Sequence, residues 1–341
     1  MEKINVKKLA KKQTKSRVTA YAIIVGIALI VYALSMFFVI GWGFINTFKH
    51  DLQFRSDKLG LPDFSYFDIP YFVDEIIQGT GRRREIQISG IFANYERVFK
   101  TLSYDRNEVY YTGLFTPKKV TAGAKLYGAE AFFIALGNSF LTMFAGTFLP
   151  LYLCCIMGYL TVNYKYKFSN FIYALVLFTM IMPIIGAGSS MLNLQRRIGV
   201  YDSMIGFFIW NCQFTSMYFL IMFSFFQGLS PTYFEAAEID GASQIRMIIS
   251  IAIPMANTMI WAGIVSLVIT TWNDYLTPLT YLPSYPTLAY LIWKSTRTGQ
   301  ASQSGPTQIA ALYLLALPSL VFFTVFRKKL MGNISIGGIK G

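Results

Sequence analysis

The chain has 341 residues, 54% of them hydrophobic and 14% charged, with a mean hydropathy of +0.46 and a formal net charge of +13. Soluble domains carry about 25% charged residues, so this composition excludes a water-facing globular surface and points to a polytopic helical membrane protein. The basic excess clusters at the two termini beside apolar segments, without the aromatic interleaving of an RNA-binding face, so it argues against nucleic acid as a partner.

In chain order, the first element is a basic segment, residues 1–19, in which KINVKKLAKKQTKSR holds seven cations. An apolar run follows from about Tyr21 to Phe48. It is too long for the ~7–15-residue core of a signal peptide and has no small-x-small cleavage site after it, so it is expected to remain as the first span. Hydrocarbon about 30 Å thick needs about 20 apolar residues per helix. Five further windows reach that length: about Ala131–Leu160, Phe171–Leu192, Ile205–Leu229, Met255–Leu279 and Thr307–Phe326. The expected organisation is a first helix over residues 20–48, an extracytoplasmic lobe over 49–130, a membrane core over 131–326 and a tail over 327–341. The fold class is thus an all-α membrane protein with six spans.

Lys/Arg bias near span ends sets orientation. Lys7, Lys8, Lys11, Lys12, Lys15 and Arg17 precede the first span, Lys165 and Lys167 join the second to the third, and Arg327, Lys328 and Lys329 follow the last. All fall on one side when both termini are cytoplasmic. Arg82, Arg83 and Arg84 lie too far from any span to count, and Arg196 and Arg197 are a minor exception. The outer region (LPDFSYFDIPYFVDEI, GIFANYERVF) mixes acids, bases and aromatics and reads as a small ordered lobe.

Within the spans the clearly ionised side chain is Asp274. Ion-coupled carriers keep carboxylates or histidines at mid-membrane depth, so a secondary transporter is disfavoured. His50 is the single histidine, which argues against a His-based metal site or a Ser-His triad, and Cys154, Cys155 and Cys212 fall in apolar windows as small hydrophobes. Neutral polar residues remain: Asn138, Ser139, Asn211, Gln213, Thr215, Ser216, Asn257 and Asn273. Each either bonds between helices or lines a hydrated path; Asn138, Asn211, Gln213, Asn257 and Asn273 are the candidates for the path.

Between the fourth and fifth windows stands PTYFEAAEIDGAS, residues 231–243, with Glu235, Glu238 and Asp240. Ser230-Pro231 suits a helix start, and Thr232 with Glu235 offers a capping box. Gly241 can take the left-handed conformation that ends a helix. A second helix is expected to bury Ile245, Ile248, Ile249 and Ala252, at i, i+3, i+4 and i+7, before Pro254 turns the chain into the fifth span. Small Ala236, Ala237 and Ala242 would let another backbone approach, and Glu235 could accept two hydrogen bonds from an arginine. A plain solvated helical hairpin has the same spacing.

These residues resemble the EAA loop of ABC importer permeases: Glu235-Ala236-Ala237, Gly241, Ile253 and Pro254 match its pattern, and Asp240 and Ala242 match the DGA form of sugar importers. ANYERVF at 93–99, LGNSF at 136–140, WNDYLTPL at 272–279, YPTLAYLI at 285–292 and the ending NISIGGIKG are similar to segments of maltose-type permeases, the last to the subunit resembling MalG. The outer region is longer than usual, and Arg82–Arg84 have no counterpart.

The resemblance implies a type I importer permease fold in a bacterial cell membrane, with coupling loop 230–254 in the cytosol. It implies a second, MalF-like permease, two cytosolic ABC ATPases that dock on Glu235, Ala236, Ala237, Asp240, Gly241, Ala242 and Pro254, and an extracytoplasmic binding protein that delivers a carbohydrate, an oligosaccharide in the first instance. ATP and Mg would sit on the ATPases, since no Walker A sequence occurs here; no cofactor or metal is expected in this chain, and it is not expected to be an enzyme. The loop Pro283–Pro306 would face the binding protein. Another neutral polar solute, or a membrane sensor or scaffold, are the alternatives.

Overall fold

The computed structural model describes residues 20–76, 83–111, 117–164, 167–182, 186–298 and 304–331. The basic N-terminal segment, Lys165, Arg82, most of the TGQASQSGP tip and the Gly-rich ending from 332 lie outside the described residues.

Helix α1, Ala20–Asn46, carries no charged residue over 27 positions and exposes large apolar side chains along nearly its whole length. It leans on the rest of the chain only near its end, where Phe44 meets Tyr313 at 5.8 Å and the Tyr313 hydroxyl donates to the Ile40 carbonyl. A helix so apolar and so little covered has lipid as its solvent.

The outer lobe is not all-helical, which corrects the expected fold class. Between the short helices α2 (Asp51–Ser56) and α3 (Ala93–Thr101), strands β1 (Tyr71–Ile76) and β2 (Arg83–Ile88) pair antiparallel with Tyr71 opposite Ile88. After α3, β3 (Ser103–Tyr111) pairs with β4 (Pro117–Tyr127) in a longer hairpin with irregularities at Asp105/Asn107 and Tyr110/Tyr111. Both hairpins draw on Tyr, Val and Ile, residues that suit a pleated surface, in stretches too charged to show any apolar run.

The lobe is tied to the core by buried polar groups. Asn94 donates to the carbonyls of Thr47 and Lys49, each at 2.8 Å, and accepts from the Thr307 hydroxyl at 3.0 Å. Arg97 pairs with Asp51 at 3.0 Å, and Asp51 also accepts from Ser304. The end of α1, the start of α3 and the start of the last helix therefore meet at one hydrogen-bonded knot, in which Arg97 Nε and Asn46 Oδ1 are buried without a partner. The NY and NS segments have the same kind of role: Tyr95 donates to Thr47, Asn138 to the Pro286 carbonyl at 3.1 Å, and Ser139 accepts from Leu288 N at 2.8 Å.

The membrane core is built around α4, Gly128–Asn163, whose 36 residues span about 54 Å at 1.5 Å per residue. Packed on it are α8 (Met217–Gln227) and α11 (Asn257–Trp272), with the long final helix α14 (Gly305–Met331) against α11. Lipid supplies no hydrophobic drive between helices, so close approach of small residues matters. A Cβ added at Gly158 would lie 3.0 Å from the Phe223 backbone nitrogen, and one at Gly263 would lie 2.6 Å from Leu151 Cδ2.

Two expected spans are broken. The window 171–192 becomes α5 (Lys167–Ile181) and α6 (Ala187–Arg197), with Gly186 at φ +79° immediately before α6. Arg196 and Arg197 sit in the last turn of α6, where cations complement the helix dipole. The window 205–229 becomes α7 (Met204–Asn211) and α8, joined by an unwound stretch over 212–216. The fifth window ends as a helix at Trp272 and resumes as α12, Leu276–Tyr281, followed by α13, Leu288–Thr298. Among the described residues, three helices are long and apolar enough to cross a membrane unbroken, and Gln244–Met255 with Asn257–Trp272, bent by 70°, makes a fourth.

Candidate functional site

Two features stand out at opposite ends of α11. The first is the projecting segment after α8. Helix α9 runs Thr232–Ile239 and ends where Gly241 takes φ +74°, with Gly241 N bonded to Glu238 O and Ala242 N to Ala237 O, each at 3.0 Å. That pair of bonds closes the helix in a Schellman arrangement and confirms the glycine reading. The start differs from expectation: neither Ser230 nor Thr232 caps a backbone N–H, because their hydroxyls bond each other at 2.8 Å and Pro231 already has helical dihedrals.

Only one face of α9 turns inward. Phe234, 7% exposed, packs on Tyr159 of α4 at 5.1 Å between ring centres, and Tyr159 in turn meets Phe226 of α8 at 5.7 Å. Ala237, one helical turn on, is buried with it. Ala237 is thus a packing residue and not part of an exposed docking face, while Ala242 is half-buried and Glu235, Ala236, Glu238, Asp240 and Gly241 are exposed. Gln244 reaches back to Glu238 at 3.4 Å and fastens the next helix to the first.

That next helix, α10, Gln244–Met255, contains a π-helical stretch over Ile248–Ala252. The extra residue per turn rotates the buried face: Met247 and Ala252, five apart, are buried, whereas Ile245 and Ile249 are exposed. Of the expected face at 245, 248, 249 and 252, Ala252 is buried and Ile248 packs against the core, whereas Ile245 and Ile249 are corrected to exposed positions, since the expectation assumed a regular helical period. Pro254 is exposed in the last turn, and the 70° bend follows it at Ala256. Tyr233, Ile239 (86% exposed), Ile245 and Ile249 form an uncovered apolar set beside the carboxylates. Sequence reasoning missed these side chains, although two isoleucines flanking an acidic turn were visible in it.

The second feature is a cavity of about 400 Å³ enclosed by α4, α6, α7, the unwound 212–216 stretch, the end of α11 and α12. Its wall offers Trp210 and Tyr281 as ring surfaces, and Thr142, Gln195, Asn211, Gln213, Thr271 and Thr277 as hydrogen-bonding groups; Asp274 is its one charged side chain. Of the expected path residues, Asn211 and Gln213 line this cavity. Asn138 instead holds the Pro286 loop, Asn257 sits at the bend near the projecting segment, and Asn273 opens on a different cavity. Ser139 and Ser216 also bond within the chain, Ser216 to Cys154. Trp210, Gln195 and Tyr281 were missed because only the break between α7 and α8 brings them round one space.

Behind the wall Asp202 has φ +54° and is buried, accepting from Ser284 N at 2.9 Å and from the Ser284 hydroxyl at 2.6 Å. Burial pushes its carboxyl above the usual range and the two Ser284 bonds pull against that shift. It fixes the α6–α7 turn to the loop after α12 and serves the cavity by shaping it.

Comparison with known proteins adds four findings. Residues 151–328 match the family described as binding-protein-dependent transport system inner membrane component. Among curated proteins, the chain is 24% identical over 243 residues to the arabinooligosaccharides transport system permease protein AraQ of Bacillus subtilis, covering 71% of this chain and 80% of that one. It is 26% identical over 231 residues to the lactose transport system permease protein LacG of Rhizobium radiobacter, covering 65% and 83%. Among solved structures, a bacterial ABC transporter involved in import of the acidic polysaccharide alginate superposes with a TM-score of 0.66 at 17% identity, covering 92% of this chain and 98% of that one.

Proposed function

The chain belongs to the family of binding-protein-dependent transport system inner membrane components, and from that premise we propose that it is the membrane-spanning permease of an ATP-driven importer for a neutral oligosaccharide. It is a transport subunit: the curated relatives are permease proteins, and ATP is hydrolysed by separate ATPase subunits. In this reading the broken α5–α6 and α7–α8 pairs each complete one crossing, six in all, with both termini cytoplasmic.

The observation that carries the mechanism is the Phe234–Tyr159–Phe226 contact. It couples the projecting α9–α10 pair rigidly to two core helices, so a push on the projection moves α4 and α8 together. Closing of the ATPases on Glu235, Ile239 and their neighbours drives that push. The 70° bend at Ala256 converts it into a tilt of α11, whose far end carries Thr271 and Asp274 of the cavity wall. Rigid-body rocking of this kind switches access from one side to the other. The extracytoplasmic binding protein and a second permease complete the machine.

For the solute, the cavity supports a neutral, hydroxyl-rich molecule. Amides and hydroxyls suit sugar hydroxyls, Trp210 and Tyr281 offer ring faces, and the single carboxylate of Asp274 repels anions.

The test is reconstitution of this chain with its partner permease, ATPases and binding protein in proteoliposomes. Sugar-loaded binding protein should stimulate ATP hydrolysis and sugar uptake together. Glu235→Ala and Gly241→Pro should separate them, leaving hydrolysis without uptake; normal uptake by both variants removes the docking role.

A further inference from the structure

Asp202 is the one non-glycine residue with a positive φ among the described residues, and it ties together two parts of the cavity wall. Its backbone nitrogen donates to the Tyr281 carbonyl at 3.0 Å. Its two carboxylate oxygens accept from the Ser284 nitrogen at 2.9 Å and from the Ser284 hydroxyl at 2.6 Å, 82 residues along the chain. One residue thus bonds the 281–284 loop through both its main chain and its side chain. Each tied segment also supplies wall groups. On one side the Gln195 carbonyl accepts from Val200 N at 3.0 Å and Tyr201 N at 3.2 Å, which closes a turn running from Gln195 to Asp202. That turn packs so tightly on α7 that a Cβ at Gly206 would collide with the Val200 carbonyl oxygen. On the other side Tyr281 ends α12, and the buried Leu282 accepts from Tyr285 N at 2.9 Å. Gln195, Val200, Ser203, Tyr281 and Leu282 all line the cavity of about 400 Å³.

We infer that Asp202 is a positioning residue for the transported solute: it holds the α6–α7 turn and the 281–284 loop as one body and thereby sets the span between Gln195 and Tyr281 across the cavity. The solute touches those two side chains and not Asp202, which is buried behind them. A strained φ persists where its surroundings over-determine it, and such residues gather at binding sites and switches. Hydrogen bonds to a carboxylate are short and directional, so they fix the relation of two segments more narrowly than apolar contact does. What the tie needs is the two-pronged geometry and not the negative charge. An asparagine tolerates the left-handed backbone, and its amide can accept from Ser284 N and donate to the Ser284 hydroxyl.

The role in recognition presupposes the import reading; the tie between the segments does not, and each is tested separately. In the assembled complex in lipid, hydrogen exchange over 198–206 and 279–285 should quicken in Asp202→Ala and stay unaltered in Asp202→Asn, with 232–255 unchanged in both. Ser284→Ala, which leaves the Asp202 backbone in place, should quicken the same two segments more weakly. Unchanged exchange in Asp202→Ala overturns the tie, and the role in recognition with it, whatever the complex transports. Uptake of a panel of radiolabelled neutral di- and trisaccharides is then measured in proteoliposomes beside ATP hydrolysis, at saturating loaded binding protein. For each sugar the unaltered complex imports, Asp202→Ala should lower uptake about tenfold, equivalent to one wall contact of about 1.4 kcal/mol. ATP hydrolysis should stay within about twofold, and Asp202→Asn should return uptake to within about twofold. In a Tyr281→Leu background Asp202→Ala should add less than about twofold, because one end of the span is already gone. The same loss in both backgrounds, or normal uptake by Asp202→Ala despite faster exchange, overturns the role in recognition and leaves the import reading standing. No uptake of any sugar by the unaltered complex overturns the import reading and the role in recognition together.

Discussion

The two ends of this molecule solve the same problem in opposite ways. At the outer knot, Asn94, Arg97, Asp51, Ser304 and Thr307 bond to one another within the chain, and all but Arg97 Nε of their buried side-chain polar atoms have partners there. At the projecting α9–α10 pair, Glu235 and Asp240 stand exposed beside Ile239, Ile245 and Ile249, while Phe234, Ala237, Met247 and Ala252 are committed inward. A buried polar group without a partner is costly, so the first region reads as an internal clamp. An exposed apolar set with adjoining charge is the anatomy of an interface core and rim, so the second reads as a surface built for another protein.

The sharpest way to break that contrast is at the knot. Arg97→Ala strands the Asp51 carboxylate and should cost about 3–5 kcal/mol, as for other buried pairs that lose one partner. The expected result is a large fall in the detergent-solubilised protein's melting temperature. A shift near zero would mean the knot is ornamental. Phe234→Ala comes next, at about 3 kcal/mol for a large aromatic removed from a packed position. Here the loss should be local: faster hydrogen exchange over 232–255 with little change at 93–101, and ATP hydrolysis no longer matched by uptake. Equal loosening at both ends would contradict independent regions.

A smaller effect is expected from Gly241→Ala. No atom lies within 4 Å of the added Cβ, so only the left-handed backbone opposes it, by about 1 kcal/mol. Coupling should weaken but persist, in contrast to Gly241→Pro. The smallest effect concerns pH. His50 is held below the usual histidine value of about 6.5, mainly by burial, with Asp51 opposing and Arg97 adding to the shift. The unfolded lobe therefore binds the proton first as pH falls, so the knot's stability is complete above that value and declines below it. Protection factors, the exchange rates corrected for their own pH dependence, should fall at Asn46–Asp57 between pH 7 and 5 while those of the 232–255 segment, which has no histidine, stay unchanged. Identical pH profiles at both ends would remove His50 as the cause.

Much of the fold was legible because its signals are local. Apolar length marked α1, α4 and α14, whose observed bounds agree within a few residues with the expected ones. Gly241 ended its helix as a residue without Cβ can. The misreadings share a different origin. The α10 face was assigned at a regular period, and the π stretch at 248–252 shifted it. The windows 171–192 and 205–229 counted hydrophobicity, which continues smoothly across breaks that backbone geometry imposes. The hairpins of the lobe were hidden by their charge. Of five expected path residues, two reached the cavity; an asparagine in an apolar window bonds to whatever group tertiary packing brings near it, as Asn138 does with Pro286.

By itself, then, the amino-acid order determined that the chain lives in a bilayer, where its long apolar stretches run, and that an acidic, glycine-ended projection interrupts them. These follow from solvent preference and backbone freedom, which act residue by residue. Only the tertiary structure decided that Phe234 locks the projection onto α4 and α8, that Asp274 and Asn273 serve different cavities, and that Asn94 and Arg97 knot three distant segments together. Each depends on which side chains meet across tens to hundreds of residues of chain or across a break in a helix, and such meetings are set by packing geometry that no local pattern encodes.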